Sequence, residues 1–320
     1  MNQLVSYSLW LPPSVPRPDL LRQLVTSLQT LREYNTEIPV CVFVYSDGPP
    51  ALSWELSGYD ATIIPQGSYE ARLAQYSELG GPVLAEYPVL HKLLNFSDLA
   101  AMGAGRVLAV DCDTLFFGDV QLLFDRYADA DCYAREEPSC RRSHFGYDPA
   151  YLNEDAFAQL SRFLGLREQR PFNVGVMLFN HDLCARLAPL QKLLVTYVWR
   201  FLLWLAAHPS DARRAFGEGE AVTRLREMLH ATPTLLKHPL PYPSANEWIL
   251  DEIALWLTLG HLADVTCDDF SSLHVPQNGE LLDRAVPHPD WIVGHYYTQN
   301  MGRVEEWLQG AVAHFSSRED

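Results

Sequence analysis

The chain has 320 residues, of which 48% are hydrophobic and 20% charged, so it can bury a sizeable core and lacks the composition of a disordered chain. Its formal net charge of −16 argues against duplex DNA or RNA as a partner, because such binding relies on Lys and Arg side chains that neutralise phosphates. An anionic small ligand would need a local source of positive charge, and a bound divalent cation is the simplest one.

The sequence carries no export or membrane signal. Met1–Leu9 lacks the basic start and long apolar run of a signal peptide. No stretch of about 18 uncharged apolar residues occurs, and Lys192 and Arg200 punctuate the nearest candidate, which ends at Ala207. The six cysteines include no CxxC pair, so a structural zinc site is not predicted. We expect reduced thiols, no transmembrane segment and a cytoplasmic location.

Short apolar runs alternate with helical patterns along the chain. Helical spacing of leucines predicts helices over Asp19–Tyr34 and Tyr87–Met102. Several apolar runs are continuous, as in strands covered on both faces. The alternation predicts an α/β fold whose mixed, mostly parallel sheet is flanked by helices and binds ligands at the carboxyl ends of its strands. The predicted strands are Val5–Trp10, Val40–Tyr45, Ala61–Ile64, Arg106–Val110, Asp131–Ala134 and Val174–Phe179.

A helical segment interrupts this alternation from residue 183 to residue 240. Leu183–Ala207 and Glu218–His230 are predicted helices separated by a polar turn at His208–Arg214. We interpret the segment as a helical insertion packed on the sheet domain. The leucine-rich stripe of its first helix is typical of a core-facing surface, and the alternatives are a homodimer contact through the insertion or a membrane-surface patch.

Two acids follow the predicted strand Arg106–Val110. Strand side chains alternate in direction, so Asp111 and Asp113 are expected on one side and Cys112 on the other. Two convergent carboxylates form a hard-oxygen site suited to magnesium or manganese. The alternative is that both are turn-forming acids that cap the next segment.

Two further segments carry polar groups beside apolar runs. Asn173 offers a donor and an acceptor, and Gly175 permits close approach of the backbone to a ligand, although an ordinary entry into a strand has the same pattern. His295 follows a short apolar run near the end of the chain. A histidine is often structural, but beside two carboxylates it would complete a site of mixed oxygen and nitrogen ligands, which favours manganese over magnesium.

The order of these segments resembles glycosyltransferase family 8, which includes glycogenin and bacterial lipopolysaccharide galactosyltransferases. The resemblance covers roughly residues 92–180 and 251–303. The matching pieces are His91-Lys92-Leu93, Asp111 to Thr114, Phe172 to Val176, Asp251-Glu252 and His295-Tyr296. Two pieces depart from the family pattern. Thr298 stands where the family has a glycine, with Gly302, Arg303 and Trp307 as the nearest equivalents, and Tyr7 to Trp10 lacks the aspartate that reads the base.

The resemblance implies one GT-A-type, Rossmann-like domain over residues 1–320. It implies a retaining transferase that moves a hexose from a nucleotide diphosphate sugar, UDP-glucose or UDP-galactose, to an acceptor that the sequence does not identify. A manganese ion, or magnesium, would bridge the two phosphates of the donor. The implied residues are Asp111, Asp113 and His295 for the metal, Lys92, Asp111, Tyr7, Gly302 and Arg303 for the nucleotide diphosphate, and Asn173 and Asp251 for the sugar.

Other functions share parts of this pattern. A phosphatase of the haloacid dehalogenase type also has a strand that ends in Asp-x-Asp, and Asp268-Asp269 could serve as its distal acidic pair. Leu115 stands where that motif requires Thr or Val. A sugar-nucleotide pyrophosphorylase would need a Gly-rich basic loop after the first strand, which the chain lacks. The third alternative is a protein that binds a nucleotide sugar without turning it over.

Overall fold

The computed structural model describes residues 2–12, 17–47, 56–78, 81–85, 90–136, 154–167, 172–207, 220–236, 250–277, 280–281, 283–284, 286–296, 302–304 and 307. Within these residues a mixed sheet of seven strands forms the centre of the fold. A second, two-stranded sheet joins a segment near the middle of the chain to one near its end. The candidate site lies where the two sheets meet.

The large sheet is mostly parallel. Its spatial order is β3-β2-β1-β4-β7-β6-β8, and β7 is antiparallel to both of its neighbours while the other pairs are parallel. This confirms the predicted mixed α/β sheet. The strands are β1 Asn2–Trp10, β2 Val40–Tyr45, β3 Ala61–Gly67, β4 Ala104–Val110, β6 Cys132–Glu136, β7 Phe172–Phe179 and β8 Cys267–Asp269, and the small sheet pairs β5 Thr114–Phe116 with β9 Val293–His295.

Helices cover both faces of the sheet, and alternate side chains of β2 show this directly. Val42 and Val44 lie in a core with residues of helix α1 (Pro18–Tyr34), whereas Cys41 and Phe43 lie in a second core with residues of helices α8 (Gln191–Ala207) and α10 (Leu250–Gly260). Both faces of the strand are therefore apolar, as its continuous run of hydrophobic residues predicted. The described helices are α1 Pro18–Tyr34, α2 Tyr69–Ala74, α3 Gly81–Leu84, α4 Phe96–Ala101, α5 Gln121–Arg126, α6 Glu154–Phe163, α7 Leu183–Leu187, α8 Gln191–Ala207, α9 Glu220–Ala231 and α10 Leu250–Gly260.

The prediction of one helix over Tyr87–Met102 was wrong. Its first residues lie outside the described part of the chain, and the rest forms a 3₁₀ helix, His91–Leu94, followed by α4. Asn95 separates the two, and its side chain binds the Tyr45 hydroxyl at 2.5 Å and the Ser8 hydroxyl at 3.2 Å. Through these contacts Asn95 is held at the carboxyl ends of β1 and β2. A continuous helix cannot form across this position. The 3₁₀ turn places Lys92 at that edge of the sheet.

The helical segment after β7 is also interrupted. A 3₁₀ turn, Ala188–Leu190, separates α7 from α8, because Pro189 has no N–H to donate to a continuous helix. The leucine-rich stripe of α8 is buried in the core that also contains Cys41 and Phe43, which confirms the core interpretation of that stripe. The dimer contact stays a prediction, and the predicted turn His208–Arg214 lies outside the described residues. None of the helices that the structure describes is long and apolar enough to cross a membrane.

The two-stranded sheet brings distant segments together. In its antiparallel register the Cα of Thr114 is paired with that of His295, and Phe116 is paired with Val293. The backbone continues this contact, since the N–H of Tyr296 donates to the carbonyl of Asp113 at 3.1 Å. The pairing of β5 with β9 thus fixes the distance between the acidic segment and the histidine.

Candidate metal centre

The two acids lie in the tight connection between β4 and β5. β4 ends at Val110, as predicted, so Asp111 and Asp113 lie just beyond the strand. The hydroxyl of Thr114 donates to the carbonyl of Asp111 at 2.9 Å, and the Cys112 thiol points away toward the carbonyl of Ser8 at 3.5 Å. The turn therefore directs both carboxylates to one side and buries the cysteine on the other.

His295 completes a cluster with the two acids. Its Nε2 lies 3.2 Å from Oδ1 of Asp113 and 3.9 Å from Oδ2 of Asp111. One ligand atom from each of the three residues lies within 4.8 Å of the others. Burial of the imidazole acts to lower the pKa of His295, but Asp113 and Asp111 beside it outweigh burial and raise that pKa. The predicted metal site required these three side chains to lie together.

The separations fit a single divalent cation. Ligands held about 2.1 Å from one ion are about 3 Å apart when adjacent and about 4.2 Å apart when opposite. The contacts from His295 Nε2 to Asp113 and Asp111 fall inside that interval. Within the described residues, no other group of three His, Cys, Asp or Glu side chains meets the same criterion. Two carboxylates and one imidazole suit manganese or magnesium.

The other nitrogen of His295 faces an amide. Nδ1 lies 3.2 Å from Oδ1 of Asn173, and the same oxygen accepts a hydrogen bond from the N–H of Gly175 at 2.9 Å. The amide nitrogen of Asn173 donates to Oε1 of Glu252 at 3.0 Å. Both ends of the Asn173 side chain are thus engaged by protein groups, and the residue is 7% exposed. Its geometry is that of a support for His295 and differs from the sugar contact that the resemblance implies.

Gly175 forms the surface under the imidazole. A Cβ at this position would lie 2.2 Å from Cε1 and 2.3 Å from Nδ1 of His295. The imidazole can therefore lie in its observed position only if residue 175 has no side chain. The carbonyl of Gly175 also accepts the N–H of Asp111 at 2.8 Å, which holds β7 against the acidic turn.

A lysine lies on the other side of the acids. Nζ of Lys92 is 2.9 and 2.8 Å from the two carboxylate oxygens of Asp111 and 3.1 Å from Oδ2 of Asp251. Burial acts to lower the pKa of Lys92, but Asp111 and Asp251 reverse the shift and raise it, so the ammonium stays charged at neutral pH. The site therefore contains its own cation beside the predicted metal ligands.

Asp251 belongs to the first turn of α10. Burial raises the pKa of Asp251, and the charge of Lys92 partly offsets that shift. Its Oδ1 accepts the N–H of Glu252 at 2.9 Å, while its Oδ2 faces Lys92. Asp251 therefore lies beside Lys92 at the site, and its contact with a sugar stays a prediction.

Three other predicted contacts do not reach this cluster. The Tyr7 side chain is fully buried in the core with α1, and its hydroxyl lies 2.9 Å from that of Ser27, so it is not presented to a nucleotide. Arg303 is 61% exposed, with Asp283 at 4.0 Å. In the described part of the chain neither Arg303 nor Gly302 has a recorded contact with the acidic cluster. The nucleotide contacts of Tyr7, Gly302 and Arg303 stay predictions, and the Tyr7 side chain itself is buried.

The distal acidic pair of the phosphatase alternative lies elsewhere. Asp268 and Asp269 are in β8, which is separated from β4 by β7 and β6 in the sheet. Oδ1 of Asp269 accepts the N–H of Glu136 at 2.8 Å, and both acids are exposed. They therefore cannot share an ion with Asp111 in this fold.

Sequence reasoning gave no role to Glu252. The residue appeared only as the neighbour of Asp251 in the resemblance, yet it is 5% exposed and bonded to Asn173. The sequence did contain a signal for this role. Glu252 begins an apolar helix next to another acid, and a carboxylate that becomes buried there needs a hydrogen-bond partner. The partner lies on β7, and the sequence alone does not show that contact.

No protein-family model and no curated protein matches the chain. Similar solved structures include mouse xyloside xylosyltransferase 1, at 12% identity and a TM-score of 0.41 over 86% of this chain and 87% of that one. The galactosyltransferase LgtC, solved with donor and acceptor sugar analogues, has 12% identity and a TM-score of 0.43 over 97% and 95%. GlyE of Streptococcus pneumoniae TIGR4 has 14% identity and a TM-score of 0.42 over 96% and 60%. At these values the similarities carry no functional conclusion.

Proposed function

We propose that this protein is a metal-dependent glycosyltransferase of the GT-A type that moves a hexose from a nucleotide diphosphate sugar. The observation that supports it is the convergence of Asp111, Asp113 and His295 beside Lys92 at the carboxyl edge of a mostly parallel sheet. Ligands of such sheets bind at this edge. We further propose that the carrier is UDP, that the metal is manganese and that the anomeric configuration is retained. The sequence resemblance is what supports these three points.

In a chain of formal net charge −16, positive charge must be supplied locally before a diphosphate can bind. Asp111, Asp113 and His295 would hold the cation, which when bound supplies positive charge against the leaving diphosphate. Lys92 adds a second positive charge beside Asp111, one of these ligands. Asp251, next to Lys92, is the acceptor that we assign to a sugar hydroxyl.

Asn173 takes a different role from the one expected. Its carbonyl end faces His295 and its amino end faces Glu252, so we assign it to orientation of the metal ligand. This assignment leaves Asp251 as the residue proposed for the sugar. The acceptor substrate is not part of the proposal.

A thermal-shift screen of nucleotide sugars, with and without manganese, tests the proposal directly. We expect UDP-glucose or UDP-galactose to raise the melting temperature only when the metal is present. A ligand at 100 times its Kd should add about 2.7 kcal/mol to the free energy of unfolding. Donor hydrolysis should follow the same metal dependence and should fall at least about 100-fold with a chelator. Turnover that survives chelation would contradict the metal role.

The same screen separates the alternatives. Hydrolysis of a generic phosphate ester, with no response to nucleotide sugars, would favour the phosphatase. Metal-dependent stabilisation without donor hydrolysis or transfer would favour a binding protein.

Replacing Lys92 by Met is expected to tighten manganese binding by about tenfold, which corresponds to about 1.4 kcal/mol. The ammonium lies within 2.9 Å of both oxygens of Asp111, so it competes with a metal ion for that ligand. The same variant should bind a nucleotide diphosphate more weakly, because one cation is lost. Titration followed by electron paramagnetic resonance of free manganese measures the first effect, and calorimetry with UDP measures the second.

The exposed Lys192, replaced by Met, is the matched control for Lys92→Met and should leave both affinities unchanged. Without metal, Lys92→Met should lower the melting temperature, because the buried Asp251 loses its partner. Added manganese should therefore stabilise this variant more than the parent protein. Weaker manganese binding in Lys92→Met would contradict competition.

A further inference from the structure

Glu252 lies in the first turn of α10 and is buried between the helix and β7. It is 5% exposed, and its Oε1 accepts a hydrogen bond from Nδ2 of Asn173 at 3.0 Å. The residue before it, Asp251, faces Lys92 instead. Two adjacent acids in one helical turn thus serve different parts of the site, and the proposed function uses only the first.

The contact with Glu252 gives the Asn173 amide one orientation. A side-chain amide has a donor end and an acceptor end, and reversing it would turn its NH₂ group toward the N–H of Gly175. In the observed orientation Oδ1 accepts that N–H at 2.9 Å, while Nδ2 donates to Glu252. Glu252 and Gly175 therefore act from opposite ends to exclude the reversed amide.

The orientation of Asn173 in turn selects the form of His295. Because Oδ1 of Asn173 lies 3.2 Å from Nδ1, that nitrogen must carry a proton to form a hydrogen bond. Nε2, which lies 3.2 Å from Asp113, then carries the proton that a metal ion would replace. Partners of this kind orient metal-binding histidines and typically affect metal affinity by about 10- to 100-fold.

We propose that Glu252 is a positioning residue, which presents Nε2 of His295 to the metal by fixing the Asn173 amide. This inference rests on the proposed function. It adds to the site Glu252, which acts on His295 through the Asn173 side chain.

Metal affinity in five variants of the full chain tests the inference. Glu252→Leu removes the acceptor and should weaken manganese binding by about 10- to 100-fold in a titration monitored by electron paramagnetic resonance. Glu252→Gln keeps an oxygen that can accept from Asn173 and should stay within about threefold of the parent. Asn173→Ala should weaken binding as Glu252→Leu does, and adding Glu252→Leu to it should have no further effect. The exposed Glu70, replaced by Leu, is the matched control and should be neutral.

A measurement on the parent protein does not depend on whether Glu252→Leu folds. Nitrogen-15 spectra of histidine-labelled protein with bound zinc, a diamagnetic substitute for manganese, should show His295 bound through Nε2 and protonated on Nδ1. The resonance is assigned by its absence in His295→Ala. A ring that binds the ion through Nδ1 would overturn the inference.

The outcomes also separate this inference from the proposed function. Two results would overturn the positioning role alone. In the first, manganese binding depends on Asp113 but is unchanged by Glu252→Leu. In the second, Glu252→Leu lowers manganese affinity equally in the parent and in the Asn173→Ala variant. A parent protein that binds no manganese would overturn both proposals.

Discussion

Asp113→Asn is expected to abolish metal-dependent donor turnover while the chain remains folded. The substitution keeps the size of the side chain and removes one of two carboxylates, the one whose Oδ1 lies 3.2 Å from Nε2 of His295. An amide oxygen is a much weaker ligand than a carboxylate for a hard cation. Loss of about 4 kcal/mol of transition-state stabilisation corresponds to a decrease of about 1000-fold in rate.

The deciding measurement for Asp113→Asn is the increase in unfolding free energy that metal produces. At a manganese concentration 100 times the parental Kd the parent should gain about 2.7 kcal/mol, and the variant should gain almost nothing. This difference compares each protein with its own metal-free form, so it does not depend on the effect of the substitution on stability. A rate within tenfold of the parent would remove Asp113 from the site.

Asp268→Asn is the matched control for Asp113→Asn. Asp268 is exposed on β8, and its Oδ1 accepts only the neighbouring N–H of Asp269 in the described contacts. The control should keep both the rate and the metal-dependent stabilisation. A loss in this variant would instead revive the phosphatase interpretation, which assigns the distal acidic pair to the reaction.

The acidic end of β4 could be predicted from the sequence because both of its signals are local. A continuous apolar run predicts a strand covered on both faces, and two acids directly after it are then expected at the carboxyl edge. The structure places Asp111 and Asp113 in the turn beyond the strand, and their carboxylates still converge. The predicted end of the strand at Val110 is correct, and the turn after it is fixed by the hydrogen bond from Thr114.

The role of Tyr7 could not be derived in the same way. Alternate residues of β1 point to opposite faces, with Val5, Tyr7 and Leu9 in the core formed with α1. The neighbouring Ser8 faces Asn95 on the other side. Ser6 and Ser8 alternate with the apolar residues, so the sequence did distinguish a polar face from the face of Tyr7, although both are buried. That the polar face lies near the acids follows only from the packing of Lys92 and Asn95.

The placement of His295 depends on contacts that sequence patterns do not contain. β5 and β9 are each three residues long, too short for a periodic signal, and their pairing joins distant parts of the chain. The order of motifs in the family resemblance predicted that His295 meets the acids, but not how the ring is held. The contacts with Asn173 and Gly175 explain that, and they come from the fully buried β7.

Gly175→Ala is expected to weaken manganese binding by at least about 100-fold through displacement of the His295 ring. The added methyl group would lie 2.2 to 2.8 Å from three ring atoms, closer than any packing permits. Gly175 does not have a positive φ, so alanine would not strain the backbone by itself. The clash with the ring is therefore the cause of the expected loss, and overpacking of this kind typically costs about 1–3 kcal/mol of stability.

A double-mutant cycle separates the clash at Gly175 from other effects of the added methyl group. In a His295→Ala background the ring is gone, so Gly175→Ala should cost less than about 0.5 kcal/mol in chemical unfolding, against about 1–3 kcal/mol in the parent. Gly58 is exposed, and a methyl group added there would have no neighbouring atom within 4 Å, so Gly58→Ala is the control and should be neutral. If Gly175→Ala lowers the free energy of unfolding equally in the parent and in His295→Ala, the imidazole does not lie against β7. The metal site would then lose its third ligand, because only that position brings Nε2 within reach of both acids.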